Sequence, residues 1–228
     1  MRFDFDQIEK GYEQELNRAL AFSGKGADFF AEVRASLLIS LCEENIGDPK
    51  QMSVLDVGSG IGLLERHIAG RFGRIHGVDV SLETVRQARL ENDRCRFDVY
   101  DGEHLPFQDD SFDIVFSSCV LEYLPPEKVF QFFGEMRRVL KAGGLLVVIQ
   151  HNPLNPLTRW VLHRCSFDDV MSQYRKGALE AKIRSCGLML TKSFFILFFP
   201  FQGRLFRRLE RWLGWLPIGA QYLIAAKK

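Results

Sequence analysis

Polar side chains follow five strand-length apolar runs of this 228-residue sequence. In an open α/β sheet, ligands bind outside the carboxyl ends of the strands, so side chains at these places are the first candidates for chemistry. In chain order, the runs are followed by Asp56 with Gly58-Ser59-Gly60-Ile61-Gly62, by Asp79, by Asp101-Gly102-Glu103-His104, by Ser117, Ser118, Glu122 and Tyr123, and by His151, Asn152 and Asn155. The sequence therefore predicts one ligand site along one edge of a sheet.

The glycine-rich turn after the first run has two features that narrow the choice of ligand. Its spacing is G-x-G-x-G rather than the G-x-G-x-x-G of dinucleotide-binding folds. Asp56, two residues before Gly58, would repel a pyrophosphate at the following helix N-terminus but would suit an ammonium group. Asp79, 21 residues after Gly58, stands where a carboxylate accepts hydrogen bonds from ribose hydroxyls. S-adenosylmethionine (SAM) fits this pattern, because it has a ribose and positive charge but no phosphate. A tight strand-to-helix connection without a ligand is the alternative.

Strand-length runs alternate with amphipathic helical patterns and predict the elements that position these residues. The predicted strands cover residues 52–57, 74–80, 95–100, 113–118, 145–150, 188–199 and 221–226. The predicted helices cover Phe29–Cys42, residues 63–71, Leu82–Glu91 with Ser81 as N-cap, a helix from Pro125-Pro126 through Leu140 that ends at Lys141-Ala142-Gly143-Gly144, segments up to Arg184, and residues 204–213. This alternation predicts an α/β fold, doubly wound, with a mostly parallel seven-stranded sheet.

Five motifs between residues 52 and 150 resemble those of class I SAM-dependent methyltransferases that act on small molecules (methyltransferase type 11). They are Val54-Leu55-Asp56-Val57-Gly58-Ser59-Gly60-Ile61-Gly62, Gly77-Val78-Asp79-Val80-Ser81, the segment from Asp101 to Asp113, Val120-Leu121-Glu122-Tyr123-Leu124, and Arg138-Val139-Leu140-Lys141-Ala142-Gly143-Gly144. The resemblance implies a Rossmann-like methyltransferase fold, with SAM as cofactor and S-adenosylhomocysteine as product. It implies one domain, 1–228, with a helical N-terminal lid (1–50), a SAM-binding core (51–150) and a substrate-side segment with the last strands (151–228).

The resemblance assigns roles at the methionine end of the cofactor. Gly58, Ser59, Gly60 and Gly62 would let the backbone approach the methionine and ribose moieties. Asp56 would support the methionine amino end, directly or through water. The backbone of Ser117 is expected to face the same end of the cofactor.

The resemblance also assigns residues to the adenosine end. Asp79 would accept from the ribose diol, and Val80 would pack against the adenine. Asp101 would accept from the adenine amino group, with the amide of Gly102 facing a ring nitrogen. Tyr12 lies in a segment that resembles the family's N-terminal lid and would cover the cofactor; a packed amphipathic helix is the alternative there.

Three residues are candidates for proton transfer from the acceptor or for contact with it. His151 ends the fifth predicted strand on the ligand side, and its ordinary pKa near 6.5 suits a base at neutral pH. Glu122 and Tyr123 stand one turn beyond the fourth strand, where they would contact the substrate. Each residue also has an alternative, purely structural role. His151 would be a loop-capping histidine, Glu122 a surface carboxylate and Tyr123 an aromatic at the edge of the core. The family often has His where Tyr123 stands, so the resemblance gives no histidine-based role to that position.

The five cysteines predict neither a disulfide framework nor a zinc site. They are odd in number and widely spaced, without a C-x-x-C pair. No metal is therefore expected, and the thiols are interpreted as small core residues of a reducing cytoplasm. The longest apolar stretch, Phe194–Phe201, is far shorter than the roughly 20 residues that span a bilayer. A soluble cytoplasmic protein is expected.

The net charge of +1 hides a split between the two halves of the chain. Residues 1–115 carry 13 basic and 22 acidic side chains, a net of −9, whereas residues 116–228 carry 17 and 7, a net of +10. The split predicts a cationic ligand for the first half and an anionic substrate or surface for the second.

A helical wheel separates apolar residues from arginines in Arg204–Leu216. It predicts either peripheral contact with an anionic membrane or a helix packed on the sheet with solvated arginines. The segment lacks the interleaved aromatics of a nucleic-acid stacking groove, so nucleic acid is not an expected partner.

We therefore expect a SAM-dependent methyltransferase that acts on a small-molecule acceptor, anionic or lipid-linked. The alternatives are a nicotinamide-dependent oxidoreductase and a non-catalytic SAM-fold binding protein. The sequence specifies neither the acceptor atom nor the oligomeric state.

Overall fold

The fold comes from a computed structural model and is described for residues 25–162, 174–199, 209–210 and 212–228. The strands are β1 (Ser53–Val57), β2 (Arg74–Asp79), β3 (Arg96–Val99), β4 (Phe112–Ser118), β5 (Leu140–His151), β6 (Met189–Ile196) and β7 (Gln221–Lys227). The α-helices are α1 (Ala27–Asn45), α2 (Glu65–Ile68), α3 (Leu82–Glu91), α4 (Val129–Val139), α5 (Pro156–Leu162) and α6 (Lys176–Ser185), with 3₁₀ turns at Pro49–Gln51 and Leu121–Tyr123.

The strands form one sheet in the order β3-β2-β1-β4-β5-β7-β6. The first five run parallel, and β7 is antiparallel to both of its neighbours. The chain goes from β1 to β2 on one side and comes back to β4 on the other, so the topological switch point lies between β1 and β4. The predicted doubly wound, mostly parallel seven-stranded sheet is confirmed. Because β7 is antiparallel, it starts at the ligand edge, where Gln221 pairs with His151.

Both faces of the sheet are covered by helices. One face packs against α4 and α6, through buried residues such as Phe133 and Ile183. The other packs against α1 and α2, through residues such as Leu38 and Ile68. Burial on both faces explains why all five residues of β1 are buried, since a parallel central strand has no solvent face.

Helix α1, the first helix of the described residues, belongs to this covering layer. Its Ala31, Ala35, Leu38 and Cys42 are at most 1% exposed. Residues 1–24 of the predicted lid, including Tyr12, lie outside the described residues. No helix in the described part of the chain is both long and apolar enough to span a bilayer.

Two predicted boundaries around α4 are wrong. The helix begins at Val129 rather than at Pro125-Pro126, which lie in the preceding turn. It ends at Val139, and Leu140 with the Lys141–Gly144 segment belongs to β5. The reason is pairing with distant backbone: Leu140 pairs with Phe112, and the backbone of Gly143 and Gly144 is hydrogen-bonded to Lys228.

Candidate active site

The glycine turn after β1 is built from left-handed backbone. Gly58, Gly60 and Gly62 have φ of +87°, +54° and +74°, which residues other than glycine rarely adopt. The amides of Gly58 and Ser59 both donate to the Val78 carbonyl, which ties the turn to β2. A Cβ on Gly58 would lie 2.2 Å from a Val120 methyl carbon, whereas one on Gly60 would meet nothing within 4 Å. The turn is therefore closed behind Gly58 and open at Gly60, as an approaching ligand requires.

Asp79 connects this turn to the end of β2. Its Oδ2 accepts from the Gly60 amide at 2.8 Å, and its Oδ1 accepts from the Ser81 amide at 3.1 Å. Burial raises the pKa of Asp79, although these backbone hydrogen bonds oppose the rise. The Thr84 side chain and the Val80 amide also interact with this carboxylate, so a ribose diol would bind Asp79 alongside these donors.

An apolar side chain and a short loop stand beside Asp79, at the place where the adenine is expected from the sequence motifs. Val80 is 42% exposed, and a Cβ on Gly102 would lie 3.1 Å from its Cγ1. Asp101 is exposed, and its Oδ1 accepts from the His104 and Glu103 amides at 2.7 Å each. These hydrogen bonds, led by that from His104, lower the Asp101 pKa. The Asp101 carboxylate thus orders its own loop.

Asp56 lies below the turn in a buried carboxyl pair with Glu65, a residue that the sequence motifs do not identify. Asp56 is 3% exposed and Glu65 is fully buried. As two carboxylates, Asp56 Oδ1 and both Glu65 oxygens would have no hydrogen-bond donor in the described part of the chain, so we assign a shared proton to the pair. Burial raises the pKa of Asp56 well above its usual value, and the charge of Glu65 raises it further. Burial raises the pKa of Glu65 to about 7.

Glu65→Gln is expected to stabilise the fold at alkaline pH. A carboxyl group with a raised pKa in the folded state lowers stability as pH rises from about 4.3 to the folded value. At about 1.4 kcal/mol per pKa unit, the variant should gain up to about 3 kcal/mol at pH 8 and almost nothing at pH 4. Urea denaturation at both pH values measures this, with the exposed Glu83→Gln as control. A less stable Glu65→Gln protein at pH 8 would contradict the shared-proton assignment.

The acceptor end of the site contains an ion pair between Glu122 and His151. Glu122 Oε2 lies 2.8 Å from His151 Nδ1, and the Glu122 side chain is 7% exposed. Burial alone would lower the His151 pKa, but interaction with Cys119 and Glu122 outweighs it and raises the pKa well above 6.5. Since the carboxylate accepts from Nδ1–H, the proton at Nε2 is the one that His151 can exchange.

Cys119 faces that second imidazole nitrogen and is not the simple core residue that the sequence predicted. Its Sγ lies 3.7 Å from His151 Nε2, and its φ is +59°, a strained value for a residue other than glycine. Two further donors reach the same sulfur: Gln221 Nε2 at 3.3 Å and Arg34 Nη1 at 3.7 Å. Cys119 therefore joins β4, β5, β7 and α1 at the acceptor end.

Arg34 and Gln221 could not be found from sequence motifs. Arg34 comes from α1 and also donates to Ser118 Oγ at 2.9 Å. Gln221 is buried at the first position of β7. Neither lies near a motif, and only the topology brings them to this edge.

Cys119, Glu122 and His151 also form the group of three metal-capable side chains found within the described residues, with donor atoms within 4.8 Å of one another. His151 is hydrogen-bonded to both of the others, and the Arg34 guanidinium lies 3.7 Å from the Cys119 sulfur. The other predicted residues lie nearby in the fold: Ser117 is buried in β4 and Tyr123 is half-buried in the 3₁₀ turn that holds Glu122.

Comparison with known proteins agrees with this geometry. Residues 55–148 match the methyltransferase domain family. Over 120 residues the chain is 36% identical to 2-methyl-6-phytyl-1,4-hydroquinone methyltransferase of Synechocystis sp., covering 49% of this chain and 37% of the relative. Residues 55–148 form a class I SAM-dependent methyltransferase domain. The chain spans between 37% and 44% of the length of four such curated relatives.

Solved structures show that the methyltransferase fold extends over most of the chain. A SAM-dependent methyltransferase from Thermotoga maritima superposes with a TM-score of 0.69 at 18% identity, covering 97% of this chain and 98% of the other. The [4+2]-cyclase SpnF has a TM-score of 0.61 at 21% identity, covering 84% of this chain and 80% of the other. Because the second protein is named for another reaction, the methyltransferase fold by itself does not fix the chemistry.

Proposed function

We propose that this chain transfers a methyl group from SAM to a small-molecule acceptor, and that the acceptor is anionic or lipid-linked. The observation that carries the proposal is the placement of two groups of side chains at one sheet edge. The glycine turn with Asp79 stands at the β1 and β2 ends, and Glu122 with His151 stands beyond the β4 and β5 ends. Such an edge at a switch point is where α/β folds bind ligand.

The residues at the β1 and β2 ends fit SAM. Asp79 has acceptor capacity for the ribose diol, Val80 offers an apolar surface for the adenine, and Gly60 leaves the backbone open. Asp56 and Glu65 provide negative charge near the amino end, and buried Ser59 Oγ has no hydrogen-bond partner in the described part of the chain. When bound, SAM supplies a methyl group already activated on a sulfonium, so alignment of the acceptor contributes much of the rate.

The residues at the β4 and β5 ends suit an acceptor that carries a proton or a negative charge. At neutral pH the raised pKa keeps His151 as an imidazolium, which attracts an anionic acceptor. Above that pKa, Nε2 takes the acceptor's proton while Glu122 stabilises the resulting imidazolium. Tyr123 follows Glu122 in the same 3₁₀ turn and is the third residue that we propose at the acceptor end. A hydroxyl or acidic nitrogen is the acceptor class that uses such a pair.

One observation favours an anionic acceptor or surface, and a second favours a lipid-linked form of the acceptor. The second half of the sequence carries a net charge of +10, which suits an anionic substrate or surface. The Synechocystis relative is named for a hydroquinone that bears a phytyl chain. That acceptor combines ionisable hydroxyls with a long hydrocarbon, and we propose the same class here.

Cofactor binding and methyl transfer are tested in two successive experiments. S-adenosylhomocysteine at 100 times its dissociation constant should add about 2.7 kcal/mol of stability, a shift of several degrees that NAD(H) does not produce. Tritiated-methyl SAM should then label an organic-extractable fraction of a metabolite extract, equally well in the presence of EDTA. A shift with NAD(H) alone would overturn the cofactor assignment. A shift with S-adenosylhomocysteine but no label in any fraction would make the chain a binding protein, and loss of label in EDTA would indicate a metal-dependent reaction.

A further inference from the structure

All three tryptophans of the chain lie exposed on two neighbouring segments beside the acceptor end. Trp160 is 41% exposed, and Trp212 and Trp215 are 73% and 72% exposed. Leu154, Leu157 and Ile218 on the same segments are 49%, 50% and 60% exposed. We call these six residues the tryptophan surface. Large apolar side chains exposed together usually mark a contact site.

Hydrogen bonds hold the two segments together. Asn155 Nδ2 donates to the Ile218 carbonyl at 2.6 Å, and Asn152 Nδ2 donates to the Pro217 and Gly219 carbonyls at 3.0 and 2.8 Å. Thr158 Oγ1 donates to the Ala220 carbonyl at 3.0 Å. The tryptophan surface therefore rests on side chain-to-backbone ties that fix its two halves relative to each other.

The surface is attached directly to the acceptor side of the site. Asn152 immediately follows His151 at the end of β5, and Ala220 immediately precedes Gln221 at the start of β7. His151 and Gln221 are paired across the sheet. The loops that leave these two residues thus carry the exposed tryptophans, and a molecule held at the surface would be close to the acceptor end.

The charge of the same stretches indicates what occupies the surface. Residues 154–164 and 204–218 contain six arginines and one carboxylate. Arg159 lies between Leu157 and Trp160 in α5 and is exposed. Association of two copies through these stretches would bring like charges together, whereas an anionic bilayer would attract them. Tryptophan is itself enriched at membrane–water interfaces, because its ring is both apolar and polar.

We propose that the tryptophan surface docks this protein on anionic lipid bilayers. The six side chains enter the interfacial layer, the exposed Arg159 contacts lipid headgroups, and the acceptor end lies next to the membrane. The docking itself does not depend on methyl transfer, but it gives a lipid-linked acceptor a short path to His151.

Vesicle binding tests the proposal on the full chain without SAM. The protein is mixed with unilamellar vesicles of phosphatidylglycerol and phosphatidylcholine in equal parts, and separately with phosphatidylcholine alone. We expect sedimentation with the anionic vesicles, weaker binding at high salt, and a blue shift of tryptophan emission. The emission reports on the surface alone, because the chain has no other tryptophan.

Matched variants assign the binding to the surface. Trp212→Ser with Trp215→Ser is expected to weaken vesicle binding at least tenfold, with circular dichroism and the S-adenosylhomocysteine thermal shift unchanged. Leu90→Ser with Phe130→Ser, two residues 87% and 57% exposed elsewhere on the fold, should bind like wild type. Absence of wild-type binding to anionic vesicles, or equal binding by both double variants, would overturn the proposal. A vesicle-free dimer that the tryptophan variant abolishes would reassign the surface to self-association.

Discussion

Asp79→Ala is expected to weaken S-adenosylhomocysteine binding at least tenfold. The substitution removes an acceptor for the ribose diol, and an unpaired buried polar group costs about 1–3 kcal/mol. It also removes the acceptor of the Gly60 amide, so the glycine turn loses one of the hydrogen bonds that tie it to β2. Titration calorimetry measures the affinity.

Two further variants separate these effects. Asp79→Asn retains one oxygen acceptor, so we expect its affinity to fall between those of wild type and Asp79→Ala. Asp93→Ala removes an exposed carboxylate outside the site and should bind like wild type. An unchanged affinity in Asp79→Ala would show that the ribose lies elsewhere.

His151→Asn is expected to reduce methyl transfer to the labelled acceptor by about 10²- to 10⁴-fold, the usual contribution of a general base. The affinity for S-adenosylhomocysteine should stay within twofold, because His151 lies at the acceptor end. Glu122→Gln should give a smaller loss, since it leaves the imidazole in place but removes its charged partner. His67→Asn, which removes a histidine paired with Asp28 on another face, is the control.

The pH dependence distinguishes a base from a merely structural histidine. With a raised pKa, His151 is protonated at neutral pH, so wild-type turnover should rise with slope one in a logarithmic plot and level off in the alkaline range. His151→Asn should lack this rise. A variant with wild-type turnover, or with a parallel pH profile, would exclude His151 as the base.

Turnover should rise with pH, whereas the contribution of His151 to the stability of the fold should fall. A histidine whose folded pKa is raised contributes stability that is fully present below about pH 6.5 and is lost as pH rises through the folded value. His151→Asn should therefore be less stable than wild type at pH 6, and the difference should shrink under alkaline conditions. Urea denaturation at a series of pH values checks the sign.

Local signals in the sequence were sufficient for α3 and for the glycine turn. α3 spans the predicted Leu82–Glu91, and Ser81 Oγ accepts from the Thr84 amide as the predicted N-cap. Such caps and strand-length runs involve residues close in sequence, so both interacting residues lie within one short segment and its pattern predicts the structure. The glycine turn is predictable for the same reason.

Longer-range contacts explain what the sequence could not give. The first residues of β5 were assigned to a helix and its end because their partner, Lys228, lies far along the chain. Glu65 was not recognised because a buried carboxyl pair has no local signature. The helical wheel of Arg204–Leu216 predicts an apolar face; residues 204–208 and 211 lie outside the described residues, and the structure shows that Trp212 on this face is exposed.

The contacts at Cys119 have a consequence for the order in which the two halves of the site can form. The Gly60–Asp79 contact of the cofactor half closes a segment of 19 residues, whereas Arg34 and Gln221 reach Cys119 across 85 and 102 residues. Closing longer loops carries a larger entropic penalty, and non-local contacts form later in folding. The contacts of the acceptor end are therefore complete only when β7 lies between β5 and β6. Local unfolding of β7 would break the Gln221–Cys119 contact of the acceptor end, while the Gly60–Asp79 contact of the cofactor half would remain.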